Sequence, residues 1–258
     1  MSKLNLKILK APGSRKFNNE TKIVDFKGQK KTPRSLWPEA WKRTFYKAYP
    51  RFEQVLLPKP EKLDSNLFRA LLDRKSDRSF SNNPIKIQDL SNLLCYSGGM
   101  KTILNKDKSS QRMYPSAGAR YPLEIYPFIF DVEDVKSGVY HYHLKTNSLE
   151  LVLKGPIKKE TMSQFGQPWM KKSHVIIVIS AIFDRTEMKY KDRGYRHILT
   201  EYGHVAQNFY LVGTALNLGV CSVGGFVDDG LNKMLDIDGI DESVIGVIAI
   251  GNKKGDTI

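Results

Sequence analysis

Two periods organise the apolar residues of this chain. A helical period marks Leu67, Leu71 and Leu72 within about 65–73. It marks Leu90, Leu93 and Leu94 within about 86–97, where Gly98-Gly99 supplies a stop. The longest stripe is Ile198, Tyr202, Val205, Phe209, Val212 and Leu216, at alternating steps of four and three, and it predicts a helix over about 195–217. The second side of that helix carries Glu201, His204 and Asn208, polar groups expected to be satisfied by neighbouring backbone or by a dimer mate. Strand-like segments bounded by turn residues cover 123–132, 138–143, 149–153, 220–223 and 243–250. Val175 to Phe183 is apolar almost throughout and rich in β-branched residues, as expected of a strand covered on both faces. Shorter helices are predicted at about 157–165 and 228–235. Helices and strands intersperse without regular βαβ alternation, so the pattern implies an α+β fold with a mainly antiparallel central sheet flanked by helices.

The first 60 residues differ from the rest and read as an extension, residues 1–60, ahead of a body at 61–258. They hold prolines at 12, 33, 38, 50, 58 and 60. Trp37, Trp41, Phe45 and Tyr46 predict a short helix from about Pro38 whose aromatic face packs on the body. Fifteen Lys and Arg against four Asp and Glu put +11 of the net +14 charge in this segment. Such a basic arm suits an acidic peptide, an anionic surface or a partner subunit. No recognition motif accompanies the charge, so nucleic acid is not the expected partner. Residues 101–112 are polar and rich in Lys and Ser, and read as a mobile loop.

The two cysteines, Cys95 and Cys221, each sit in an apolar stretch and form no C-x-x-C, which suits a reducing cytoplasm. Lysines interrupt the first apolar stretch, so no signal peptide is expected, and no run approaches a membrane span in length. A soluble, cytoplasmic protein is the expectation. His141 and His143 share a strand face, but no third metal ligand is evident, so no metal is expected. Neither a dinucleotide-binding glycine motif, nor a P-loop, nor a nucleophile elbow occurs.

Four segments can carry chemistry. Arg74-Lys75-Ser76-Asp77-Arg78-Ser79-Phe80 supplies guanidinium forks and hydroxyls suited to an anion, although a solvated helix end has the same composition. Pro115-Ser116-Ala117-Gly118 lies between Tyr114 and Ala119-Arg120-Tyr121-Pro122; its small residues let backbone approach a flat ligand, and its prolines stiffen both ends. Gly224-Gly225 follows a short strand and could place bare backbone N–H against a ligand, or simply make a tight turn. Lys189-Tyr190 precedes Arg193-Gly194-Tyr195-Arg196 and the long helix, as a catalytic pair or an exposed loop.

In order and spacing these segments resemble the SagB/McbC-type subgroup of nitroreductase-like flavoproteins, over roughly residue 65 to the end. The specific signals are PSAGARYPLEIY and KYKDRGYRHILTEYGHVAQNFYLVGTALNLG, with the more widely shared RKSDRSF. The resemblance implies tightly held FMN, commonly at a homodimer interface. It implies that Arg74 and Ser76 hold the phosphate and that Arg78 faces the pyrimidine side of the flavin. Pro115, Ser116, Ala117 and Gly118 would line the ring, Gly224 and Gly225 would sit near N5, and Lys253 and Lys254 are candidates for further phosphate contacts. It further implies that Lys189 and Tyr190 are needed for oxidation of thiazolines and oxazolines in a precursor peptide, with a cyclodehydratase as partner. A lysine base needs burial or a nearby cation to shed its proton near neutral pH, and Arg193 and Arg196 could supply the cation. A general NAD(P)H-dependent nitro or quinone reductase and a non-catalytic scaffold subunit are the competing readings.

Overall fold

The computed structural model describes residues 12–22, 33–104 and 111–254. Seven strands form one sheet: β1 Gln54–Leu56, β2 Leu123–Ile129, β3 Gly138–His143, β4 Ser148–Lys154, β5 Val175–Ile182, β6 Leu218–Val223 and β7 Glu242–Asn252. Their order across the sheet is β1-β4-β3-β2-β5-β7-β6, and each neighbouring pair is antiparallel. The helices are α1 Pro12–Glu20, α2 Glu39–Lys42, α3 Leu67–Asp73, α4 Ile87–Gly98, α5 Lys101–Leu104, α6 Lys158–Met162, α7 Asp184–Tyr190, α8 Arg193–Ala215 and α9 Asp228–Leu235. The expected α+β architecture is therefore present.

The pleat of β5 sorts the core into two layers. Val175, Ile177, Ile179 and Ala181 pack with Ile198, Val205 and Phe209 of α8 and with Leu90, Leu93 and Leu94 of α4. Ile176 and Val178 turn the other way, towards Leu231, Met234 and Leu235 of α9. A strand that must satisfy both layers cannot alternate polar and apolar residues, which is why 175–182 reads as an unbroken apolar run. The α8 helix lies close to the sheet, and a Cβ on Gly246 would fall 2.1 Å from the Tyr202 ring, so β7 needs a glycine there.

Several elements depart from the expectations. The helix at Pro38 stops after one turn at Lys42, and residues 43–49 have no regular structure, so Phe45 and Tyr46 do not extend an aromatic helix face. The segment read as a loop over 101–112 begins with α5, and Arg112 is buried and bridges to Met100; residues 105–110 lie outside those described. Lys189 and Tyr190 sit in the last turn of a helix rather than in a loop. Gln54–Leu56, inside the 1–60 segment, is a strand of the sheet, and Leu57 reaches the core.

The sheet also buries charge. Glu124 of β2 accepts a hydrogen bond from Arg185 of α7 and pairs with His141 of β3 at 3.0 Å, while Glu150 of β4 lies 2.8 Å from the other His141 nitrogen. Burial alone would raise the Glu124 carboxyl, but the His141 hydrogen bond and the charges of Arg185 and Arg112 hold it at about 2. Burial pushes His141 down, and its two carboxylates outweigh that and raise it above its ordinary 6.5. Glu124 thus adds stability that is present above 4.5 and lost as pH falls towards about 2. His141 adds stability that is complete below 6.5 and lost as pH rises through its raised folded value. The urea midpoint should therefore peak between these limits and fall on both sides. A midpoint that falls on neither side of these limits would contradict the buried network.

Candidate active site

The Pro115–Gly118 loop is held in an unusual backbone path. Gly118, Ala119 and Tyr121 have φ of 61°, 54° and 49°. L-residues rarely occupy this region, so Ala119 and Tyr121 need external restraint. The restraint is visible. Ser116 Oγ accepts from the Tyr121 N–H at 2.8 Å, and Arg185 donates to the Tyr121 carbonyl at 3.1 Å. Arg120, buried, donates to the carbonyl of Ala40 at 2.7 Å and to that of Arg43. Arg112 donates to Tyr114 Oη at 2.8 Å and to the Leu123 carbonyl at 3.0 Å. Asn208 of α8 donates to the carbonyls of Ser97 and Met113, each at 3.2 Å, as the reading of the α8 polar side expected.

The loop meets Lys189 and Tyr190 directly. A Cβ on Gly118 would lie 2.7 Å from Tyr190 Oη and 3.0 Å from Lys189 Nζ, and the left-handed φ adds strain for any side chain, so glycine suits this close approach. Lys189 Nζ also sits 3.5 Å from the ring centroid of Trp37 and 5.7 Å from that of Trp41. The Tyr190 ring packs edge-on against His197 at 4.9 Å. Burial raises the Tyr190 hydroxyl above its ordinary value, opposed by the Arg120 charge.

Arg193 donates to the Thr21 carbonyl at 2.5 Å and Arg196 to the backbone and side-chain oxygens of Asn18 at 2.6 Å, so both hold the segment around α1. Arg120 is the cation whose charge reaches Tyr190.

Behind the loop, Glu201 is buried with one carboxyl oxygen lacking a hydrogen-bond partner among the described residues. Burial pushes its carboxyl up to about 7, against a hydrogen bond from Ser116 and the charge of Arg112. His204, on the same side of α8, is exposed.

The candidate phosphate residues fall into two groups: Arg74, Ser76 and Arg78 lie against Tyr210 and Cys221, while Lys253 and Lys254 line a cavity that none of those three borders. Arg74 caps α3 and lies over the Tyr210 ring at 5.3 Å, while Ser76 Oγ is 3.1 Å from Tyr210 Oη. Tyr210 Oη in turn accepts from the Ser222 N–H at 2.8 Å. Arg78 reaches Cys221, whose thiol burial raises and Arg78 lowers. Lys253 bridges to Phe80, and Lys75, Ser79, Asn217, Lys253 and Lys254 line a cavity of about 540 Å³ with Asp73 and Asp77. Residues far apart in sequence thus converge, because the end of β7 runs antiparallel to the segment after α3.

Gly224 and Gly225 follow the end of β6, just after Ser222, whose N–H donates to Tyr210. Gly225 borders a cavity shared with Gly166 and Gln167, and a Cβ on it would lie 3.1 Å from Gln167 Nε2. The cavity beside Pro115 and Ser116, about 440 Å³, shares no residue with the lysine-lined one. Among the described residues no group of three His, Cys, Asp or Glu could hold a metal ion, and no helix is long and apolar enough to cross a membrane.

The nitroreductase family profile matches residues 71–252, which contain α8, the strained loop and most of the sheet. The chain belongs to the nitroreductase family. This nitroreductase-family chain is 35% identical over 185 residues to the nitroreductase-family protein MJ1384 of Methanocaldococcus jannaschii, covering 71% of this chain and 90% of that one. It is 28% identical over 220 residues to the microcin B17-processing protein McbC of Escherichia coli, covering 78% and 79%. In structure it matches a chain of the E. coli microcin synthetase McbBCD complex with truncated pro-MccB17 bound, at TM-score 0.61 and 22% identity over 99% of this chain and 98% of that one. A nitroreductase-family structure from Anabaena variabilis matches at TM-score 0.68 and 23% identity over 80% of this chain, which spans 42% of that longer one. An FMN complex from Desulfovibrio desulfuricans matches at TM-score 0.52 and 15% identity, over 74% of this chain and 88% of that one.

Proposed function

We propose that this nitroreductase-family chain is an FMN-dependent dehydrogenase that oxidises thiazoline or oxazoline rings of a precursor peptide to thiazoles or oxazoles. The observation that carries the reading is the contact of Lys189 and Tyr190 with Gly118 of the strained loop. A reductase that only passes hydride to a nitro group or quinone needs no base at carbon; aromatising an azoline does. The ring loses a proton from its α-carbon and a hydride from the adjacent ring carbon. FMN, when bound, would supply the hydride acceptor, and its reoxidation would reduce dioxygen to hydrogen peroxide. Lys189 takes the α-proton, and Tyr190 positions the ring beside it. Ser116, Ala117 and Gly118, backed by Pro115, offer a small-residue wall for a planar group. Arg74, Ser76, Arg78, Lys253 and Lys254 would hold the cofactor phosphate and pyrimidine edge, and this donor set fits a dianion flanked by a ring.

Two further parts of the reading follow. The separate cavities of one chain suit a site completed across a homodimer, and Leu67, Phe68, Leu71 and Leu72 leave an exposed apolar face on α3 that a second copy would cover. The similarity to McbC supports a cyclodehydratase of the same pathway as partner.

The likeness to MJ1384 favours a second reading, a general NAD(P)H-dependent nitro or quinone reductase. Anaerobic mixing separates the two. The dehydrogenase bleaches its flavin absorbance with an azoline peptide and responds slowly to NAD(P)H. Rapid bleaching by NAD(P)H and none by azoline peptides selects the reductase.

A further inference from the structure

One wall of the candidate site comes from outside the matched family region. Trp37 and Trp41 precede residue 71, yet Lys189 Nζ stands 3.5 Å from the Trp37 centroid, and the two indoles meet edge-on at 6.2 Å. Arg120, two residues after Gly118, donates to the carbonyls of Ala40 and Arg43, so the tryptophan segment and the strained loop are tied together. An ammonium over an indole face is attracted by the ring quadrupole, and a neutral amine is not.

We propose that Trp37 is a positioning residue for Lys189: its indole face holds the ammonium beside Gly118 between turnovers and lets it go when the amine is neutral. The inference deepens the dehydrogenase reading and rests on its assignment of Lys189 as proton acceptor. Other charged and titratable groups surround the pair. Arg120 comes from the loop, His197 and, through it, the charge of Arg193 from α8, and Tyr190 from α7 itself. A substitution at Trp37 leaves all of them in place and isolates the indole.

Competitive acetylation of the full-length, FMN-loaded protein across pH tests this, with Lys189 resolved by peptide fragmentation in the mass spectrometer. In Trp37→Leu the pH of half-labelling at Lys189 should fall by about 0.5–1 unit, the scale of an ordinary cation–π contact. Trp37→Phe, which keeps an aromatic face, should move it by less than half as much, and exposed Lys154 should not respond. The rising limb of the pH–rate profile should shift in parallel. An unmoved half-labelling pH in Trp37→Leu overturns the proposal, and so does an equal shift in the Leu and Phe variants, which marks a packing role. A graded shift in a protein that oxidises no azoline upholds the Trp37 contact and overturns the reaction assigned to Lys189, so the two failures are distinguishable.

Discussion

Replacing Lys189 by alanine should slow azoline oxidation by about 10²–10⁴-fold while FMN stays bound, the usual scale for loss of a general acid–base group. The expectation follows from place. Lys189 sits at the end of α7 with its Nζ beside Gly118, whereas Arg74 and Ser76 meet Tyr210 and Lys253 and Lys254 line a cavity at the end of β7. Deleting the amine therefore removes the proton acceptor and leaves the phosphate cradle intact. The check is kcat/KM on an azoline peptide together with flavin content from the absorbance spectrum. An unchanged rate removes Lys189 from the mechanism. A lost flavin makes it a binding residue instead.

The second large effect should be on stability. Arg185→Ala should lower unfolding free energy by about 3–5 kcal/mol, the cost of leaving a buried carboxylate short of its partner. Arg185 is 6% exposed and donates both to Glu124 and to the Tyr121 carbonyl, so it ties α7 to the sheet and to the strained loop. Arg69→Ala is the natural control. Arg69 also pairs with a carboxylate, Asp73, but its side chain is 76% exposed, and the loss should stay under about 1 kcal/mol. Urea denaturation of the two variants compares them directly, and equal costs would show that Arg185 does not anchor the site.

The parts of this fold legible in the sequence are those whose signal is local. The α8 stripe and the α4 leucines repeat at the helical period, the β5 run is marked by unbroken apolar, β-branched composition, and each appears close to where it was expected. β1 gave no signal, because three residues at a sheet edge are too few to show a period. The α7 helix was missed because its buried positions are Arg185 and Thr186, so no apolar stripe marks it. The charged network was invisible for a related reason. Glu124, His141, Glu150 and Arg185 lie on four separate elements, and each alone reads as an ordinary polar residue.

The candidate site divides along the same line. The RKSDRSF, PSAGAR and Lys-Tyr segments stood out by composition, and the fold sets the last two against each other. Trp37 and Trp41 were seen as an aromatic cluster that packs on the body, but nothing local could name Lys189 as what they pack against. The hydrogen bonds of Arg193 and Arg196 to the segment around α1 were equally out of reach, since they join residues more than 170 positions apart.

The most direct test of the central claim is the mass of an azoline-containing peptide after incubation in air with the FMN-loaded protein. The account predicts loss of the mass of two hydrogens per oxidised ring, absent in the Lys189→Ala variant. Unchanged peptide mass across several azoline substrates, with flavin bound and promptly reduced by NAD(P)H, would contradict it and leave a general reductase in its place.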